Sequence, residues 1–343
     1  MGAATPANYR QHVGIYVWGQ LRANPSGGLE QAAADLKRLG ADYAVRVYIG
    51  PGALWEPNRA RRNVPGDTTQ DNAPLDVKVR RADYHAFLTA FPVVMLTAYD
   101  TANYARYKKG RLDRQQLGAT KDEFRRFTLE LAKLPGRKIL SNWEFENDCI
   151  WDEAGRQWDA CREYYQARVD GIREGRAEAR AHGYPGEVLT AFEFTVVPGY
   201  QGRHSGLVDI GAKVAGVDYF SYSSWASIGS DYDQAKMYQS FEWGAHLIRE
   251  FEAQQHLNAK LIIGEFGEYW DQHPAAERLK AAIDAALAGG FEYVFDWVLY
   301  DQPGNKDDHG RDASHFGKFR LDGTLTPQGK AFQRWFRALG PGK

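Results

Sequence analysis

Eight short apolar runs rich in β-branched residues recur along this chain, and between most of them lies a longer stretch with apolar residues three and four apart. A short run of that kind reads as a buried strand, and a three-four spacing reads as a helix with one apolar face. Their repeated alternation is the pattern of βα units around a parallel sheet. The strand-like runs are Val13 to Trp18, Tyr43 to Ile49, Val93 to Ala98, Lys138 to Glu144, Val188 to Phe194, Val217 to Tyr222, Leu261 to Glu265 and Tyr293 to Trp297. Helical patterns cover Leu29 to Leu39, Arg81 to Ala90, Lys121 to Leu134, Glu163 to Ala181, Ala235 to Phe251, Ala275 to Leu287 and Pro327 to Leu339, while Gly206 to Val214 is a weak helix. Glycines after Leu39 and Ala288 suit left-handed helix stops.

No composition break marks a linker, and 343 residues with 43% hydrophobic content can bury one large core. The expected architecture is α/β, a single (β/α)8 TIM barrel over residues 1–343, with residues 1–10 as a flexible N-terminal tail. Two long connections, Gly50 to Val79 and Tyr99 to Thr120, follow strands and so belong to the C-terminal face, where Trp55, Tyr104 and Tyr107 would help line an extended cleft. An open dinucleotide-binding sheet is disfavoured, because Trp18-Gly-Gln-Leu stands where a Gly-x-Gly-x-x-Gly turn would follow the first strand.

A net charge of -1 and a pI near 6.8 provide no field for a polyanion, so neither nucleic acid nor a membrane surface is an expected partner. No run is long and apolar enough for a membrane span, and Met1-Gly-Ala-Ala-Thr-Pro lacks the features of a signal peptide. The expectation is a secreted or periplasmic monomer whose leader has been removed, with a cytoplasmic location left open. Cys149 and Cys161 could close a small loop or remain free thiols. With no other Cys and scattered His, no metal site or cofactor is expected.

Two runs end in glutamate: Glu144 after Lys138-Ile-Leu-Ser-Asn-Trp, and Glu265 after Lys260-Leu-Ile-Ile-Gly. A carboxyl that caps a barrel strand lies at the mouth, and two such groups are what glycosidic cleavage requires, one to protonate the leaving oxygen and one to attack the anomeric carbon or activate water. Alternation places Asn142 and Glu144 on one side of the strand, with Trp143 on the other. Glu144 would serve as the acid only with a raised pKa, from apolar neighbours or its partner's charge. Glu146, of the same parity but further into the loop, is its rival.

With glutamates ending the fourth and seventh of eight strands, the chain resembles the clan A glycoside hydrolases, the retaining (β/α)8 enzymes that include the family 5 cellulases and mannanases. Ile263-Gly264-Glu265-Phe266-Gly267 is similar to the clan's strand-seven motif, which implies that Glu265 is the nucleophile. Ser141-Asn142-Trp143-Glu144 resembles strand four, but Trp143 separates the Asn and Glu that the clan usually has adjacent. The resemblance implies acid/base work for Glu144 and a hold on the sugar 2-hydroxyl for Asn142. Arg46 looks like the strand-two arginine that supports the nucleophile, with a buried ion pair elsewhere as the alternative.

The clan's His-x-Tyr after strand six is replaced by Ser223-Ser224-Trp225, so a tyrosine contact to the nucleophile would come from Tyr222 or be absent. Trp297 resembles the aromatic floor of the sugar site, with simple core packing as the alternative; Trp225 is a further substrate-binding candidate, and Trp18 and Tyr99 are either stacking platforms or core. Glu193 would bind a sugar hydroxyl or pair with a cation. The segment from Phe319 to Phe332 is similar to the clan's C-terminal phrase. The implied activity is retaining hydrolysis of a β-linked oligo- or polysaccharide, with a transglycosidase or an inactive carbohydrate-binding barrel as alternatives.

Overall fold

A computed structural model of the protein describes residues 9–18, 28–50, 73–103, 110–149, 158–199, 204–225, 234–271, 274–302 and 314–338. Eight parallel strands close into a barrel in sequence order. They are β1 (Val13–Val17), β2 (Ala44–Ile49), β3 (Val93–Ala98), β4 (Arg137–Ser141), β5 (Glu187–Phe194), β6 (Tyr219–Ser223), β7 (Lys260–Phe266) and β8 (Tyr293–Trp297). The expected α/β class and (β/α)8 barrel are thus met. The helices are α1 (Gly28–Leu39), α2 (Leu75–Val79), α3 (Ala82–Thr89), α4 (Arg114–Ala132), α5 (Phe145–Cys149), α6 (Trp158–Ala181), α7 (Gly206–Asp209), α8 (Gln234–Gln254), α9 (Ala275–Ala288) and α10 (Pro327–Ala338).

Strand residues alternate between two cores, as a closed sheet requires. Ala44, Met95, Ile139, Leu189, Ile262 and Phe295 pack against each other inside the barrel, and their neighbours, such as Val45, Leu96 and Leu140, face the helical layer. Gly14 gives up its side chain to that interior, since a Cβ there would lie 2.7 Å from the Phe295 ring. The inner positions turn from apolar to polar towards the C-terminal ends of the strands: Met95 gives way to Thr97, Ile139 to Ser141 and Tyr219 to Ser221. A change of that kind prepares a polar site at one mouth of an otherwise dry barrel.

Several expected boundaries shift. Pairing of β4 with β5 ends at Leu140↔Thr190, so β4 stops at Ser141 and residues 142–144 leave the strand. β6 begins at Tyr219 rather than Val217, and just before it the Asp218 carboxylate accepts bonds from the Thr190 N–H and hydroxyl. Residues 9 and 10, expected in a tail, are packed: Tyr9 is buried and donates to Asp284 at 2.6 Å, while Arg10 pairs with Asp42. Cys149 and Cys161 form a disulfide between α5 and α6. No helix is long and apolar enough to cross a membrane among the described residues. Trp55, Tyr104 and Tyr107 lie outside the described residues.

Candidate active site

The inner polar layer is organised by Arg46 on β2. Its guanidinium meets Glu193 of β5 through two bonds of 2.7 Å, donates to the Gly264 carbonyl at 2.7 Å and reaches Thr97 Oγ1 at 2.8 Å. The face of Tyr16 lies 4.3 Å from its carbon centre. Burial alone would lower the pKa of Arg46, but the facing Glu193 carboxylate, Tyr16 and Glu265 outweigh it and hold the cation charged. Gly264 is required here, because a Cβ would fall 1.9 Å from a Glu193 oxygen and 2.2 Å from Ser221 Oγ.

Glu265 follows that glycine. The pairing register shifts between Ile263 and Phe266 against β8, and between Tyr222 and Ser223 against β6. An irregularity of this sort re-aims the side chain beside it. Glu265 thereby lies 3.8 Å from Arg46 Nη1 and has its own carbonyl bonded by the Ser224 N–H at 2.8 Å.

Glu144 leaves the end of β4 and points to the same place. Its Oε1 accepts from Ser223 Oγ at 2.6 Å, its Oε2 accepts from the Asn147 amide, and its backbone N–H lies 3.3 Å from Glu193 Oε1. Burial, opposed by the Ser223 hydrogen bond, pushes the carboxyl up to about 7. Glu265 is also raised well above the ordinary carboxylate range, by burial first and then by the charge of Glu144, against the pull of Arg46 and Trp225. Only 5% of Glu144 and 4% of Glu265 is exposed. Two nearly dry carboxyls that feel each other's charge share protons rather than titrating alone. Such a pair can present one acid and one anion at neutral pH.

Half-buried aromatic rings stand beside the pair. Trp18 lies 6.0 Å from Trp297 and 4.8 Å from Tyr48, and Trp225 packs edge-on against Phe316 at 5.5 Å. Val298 and Phe316, with Trp18, Trp225, Tyr269 and Trp297 against them, form a separate apolar cluster at this mouth. Behind Trp297, Asp296 pairs with Lys318 at 2.7 Å, sealed from solvent.

The structure therefore brings Glu144, Glu265, Arg46, Trp18, Trp225 and Trp297 together, and engages four other candidates elsewhere. Of the two readings of Glu193 it has the cation pair: the side chain is fully buried, and both its oxygens are taken by Arg46. Asn142 is equally buried, and its amide clamps β5, donating to the Glu193 carbonyl and accepting from the Glu193 N–H at 2.8 Å each, so it does not present itself to a 2-hydroxyl. Tyr99 is 1% exposed, with its hydroxyl on the Trp143 N–H and on Asp148, and is no stacking platform. Tyr222 has the outward parity of β6, stacks on Phe194 at 5.7 Å and faces Gly244 of α8. The rival Glu146 is turned away from the pair, its carboxylate accepting backbone N–H bonds from Thr195, Val196 and Gly206.

Sequence reasoning passed over Ser223 as a contact of Glu144, although its inward parity with Ser221 was a usable signal. It also passed over Asn147, three residues beyond Glu144, and here a loop assignment hid a helical turn. Among the described residues no cluster of His, Cys, Asp and Glu is arranged to hold a metal ion.

No family model matches the chain, and no curated protein matches it. Solved structures do. A GH5_18 protein from Bifidobacterium longum subsp. infantis superimposes with a TM-score of 0.63 at 16% identity, over 95% of this chain and 78% of that one. A GH5_18 variant from Streptomyces cattleya, in complex with Manβ1-4GlcNAc, gives 0.59 at 17% identity, over 97% and 81%. The chain shares their (β/α)8 barrel fold. The endo-β-1,4-mannanase from Thermotoga petrophila is also similar, with a TM-score of 0.51 at 13% identity over 97% of this chain and 77% of that one. At these identities the likeness is one of fold.

Proposed function

We propose that this protein is a retaining glycoside hydrolase acting on a β-linked oligo- or polysaccharide. The observation that carries the proposal is the convergence of Glu144 and Glu265 from strands four and seven, with the charge of the first raising the pKa of the second. In this reading Glu265, beside the Arg46 cation, is the ionised partner and attacks the anomeric carbon to form a glycosyl-enzyme. Glu144 holds the proton at neutral pH, gives it to the leaving oxygen, and then takes one from the water that releases the sugar. Two carboxyls act in turn, and water is the second nucleophile.

The rings of Trp18, Trp225 and Trp297 are suited to the apolar faces of a pyranose. With Asn142 engaged by β5, the half-buried Asn147 amide, already on Glu144, is the donor placed to meet a sugar hydroxyl. Mannosides recur among the similar structures, in the Manβ1-4GlcNAc complexes and in the mannosidase and mannanase. A β-mannoside is therefore the proposed substrate class. A secreted or periplasmic location is proposed as well, supported by the Cys149–Cys161 disulfide, which an oxidising compartment would preserve.

A panel of β-linked glycans assayed with wild type and with Glu265→Ala tests the function. Reducing ends released by wild type and not by the variant are expected. Calorimetric binding without release by wild type would make the protein a carbohydrate-binding barrel instead. Product analysis at high acceptor concentration separates hydrolysis from transglycosylation.

A further inference from the structure

Beyond Ser141 the chain has left the β4 ladder, so the peptide groups of residues 142–144 must find other partners before Glu144 can be held in one place. Buried side chains supply them. Arg168, on α6, donates to the Ser141 carbonyl at 3.1 Å, and Arg46 lies 3.4 Å from that of Asn142. The Trp143 N–H, directly before Glu144, donates to Tyr99 Oη at 2.8 Å. A tyrosine hydroxyl has one proton to give, and this one gives it to the Asp148 carboxylate. Asp148 in turn lies one helical turn past Glu144, and its N–H donates to the Glu144 carbonyl at 3.1 Å.

These bonds form a ring around the Glu144 backbone, from Trp143 to Tyr99 to Asp148 and back to Glu144. Cys149, next in sequence, ties the ring to α6 through Cys161, and Arg168 of the same helix lies 5.6 Å from the Tyr99 ring. Tyr99 and Asp148 are themselves almost wholly buried, so neither touches a substrate. A buried polar group in such a place is costly without partners, and the bond Asp148 accepts from Tyr99 offsets that cost.

We propose that Tyr99 and Asp148 are positioning residues for the acid/base, fixing the peptide in front of Glu144 through this relay. The proposal rests on the acid/base role assigned to Glu144 above.

Proton donation matters to a poor leaving group and hardly at all to a very acidic one, which departs as an anion. The test therefore measures kcat/KM for the 2,4-dinitrophenyl and phenyl glycosides of the sugar that wild type cleaves, β-mannosides first, with Tyr99→Phe, Asp148→Asn and Glu144→Ala, each checked for cooperative thermal unfolding. Tyr99→Phe is expected to lower the phenyl glycoside rate by roughly ten- to a hundredfold, the range a small misplacement of a reacting group can cost. The dinitrophenyl rate should stay within about threefold of wild type. Asp148→Asn, which keeps the shape of the residue, should move the two rates in the same sense and decides the matter if Tyr99→Phe does not fold.

Equal losses on both glycosides, or no loss on either, would overturn the positioning role. If Glu144→Ala shows the leaving-group pattern and the other two variants do not, the relay alone is refuted. If Glu144→Ala shows no such pattern, or wild type cleaves neither glycoside, the acid/base assignment fails and the relay proposal falls with it.

Discussion

Arg46 and Glu193 meet inside the barrel as a two-pronged ion pair, each N–O distance 2.7 Å, with neither side chain exposed. Glu193 neutralises most of the cation, and what remains acts on Glu265 from 3.8 Å. Removing one member of such a pair strands the other in a dry interior, at a cost of about 3–5 kcal/mol. Glu193→Gln is therefore expected to lower the free energy of unfolding by about that amount, measured by denaturant titration. An unchanged midpoint would show that the pair is not what orders the inner polar layer.

Activity should fall as pH rises through about 7, because burial holds the Glu144 carboxyl at about that value and the deprotonated group has no proton to donate. The alkaline limb of the kcat/KM profile checks this. Glu144→Gln should remove the limb along with most of the rate, and a limb that persists in the variant would belong to another group.

The same carboxyl sets a stability trend of opposite sense to an ordinary salt-bridged acid. Its pKa is raised on folding, so between the unfolded value and about 7 the native state binds more protons than the unfolded chain, and stability declines as pH rises through that window. Glu144→Gln carries no such charge. At pH 8 it should be more stable than wild type by on the order of 2 kcal/mol, and near pH 4 the gain should vanish. Unfolding curves at the two pH values supply the comparison.

The Cys149–Cys161 bridge spans twelve positions in sequence. A loop of about that length is worth roughly 3 kcal/mol through restriction of the unfolded chain. Replacing both cysteines with Ala should lower the unfolding free energy by about that much, read from urea titration under non-reducing conditions, and wild type in reductant should approach the variant.

All eight strands were legible because each must bury β-branched residues on two sides, which leaves a short apolar run set between longer helical patterns. The ends were less so. Whether Asn142 to Glu144 continue a strand depends on how far β5 pairs with β4, and that is fixed by a partner fifty positions away.

Glu265 was legible from a short motif, and Gly264 from the close approach it permits. The role of Asn142, and the choice between the two readings of Glu193 and of Tyr99, were not, because inward parity does not say whether a polar group faces the mouth or the layer beneath it. Glu193 lies one layer too deep to meet a sugar, and only the reach of Arg46 from β2 reveals this. Ser223 carried only its inward parity with Ser221 as a signal, since a hydroxyl of that size gains its meaning from the carboxyl it meets.

The central claim is that Glu265 forms a covalent bond to the sugar. Incubation with a 2-deoxy-2-fluoro-β-mannosyl fluoride, or the analogue of whichever sugar the glycan panel selects, followed by peptide mass spectrometry, tests it most directly. One sugar per chain, attached to Glu265 and absent from Glu265→Ala, is the predicted result. A label on any other residue, or turnover undiminished in Glu265→Ala, would contradict it.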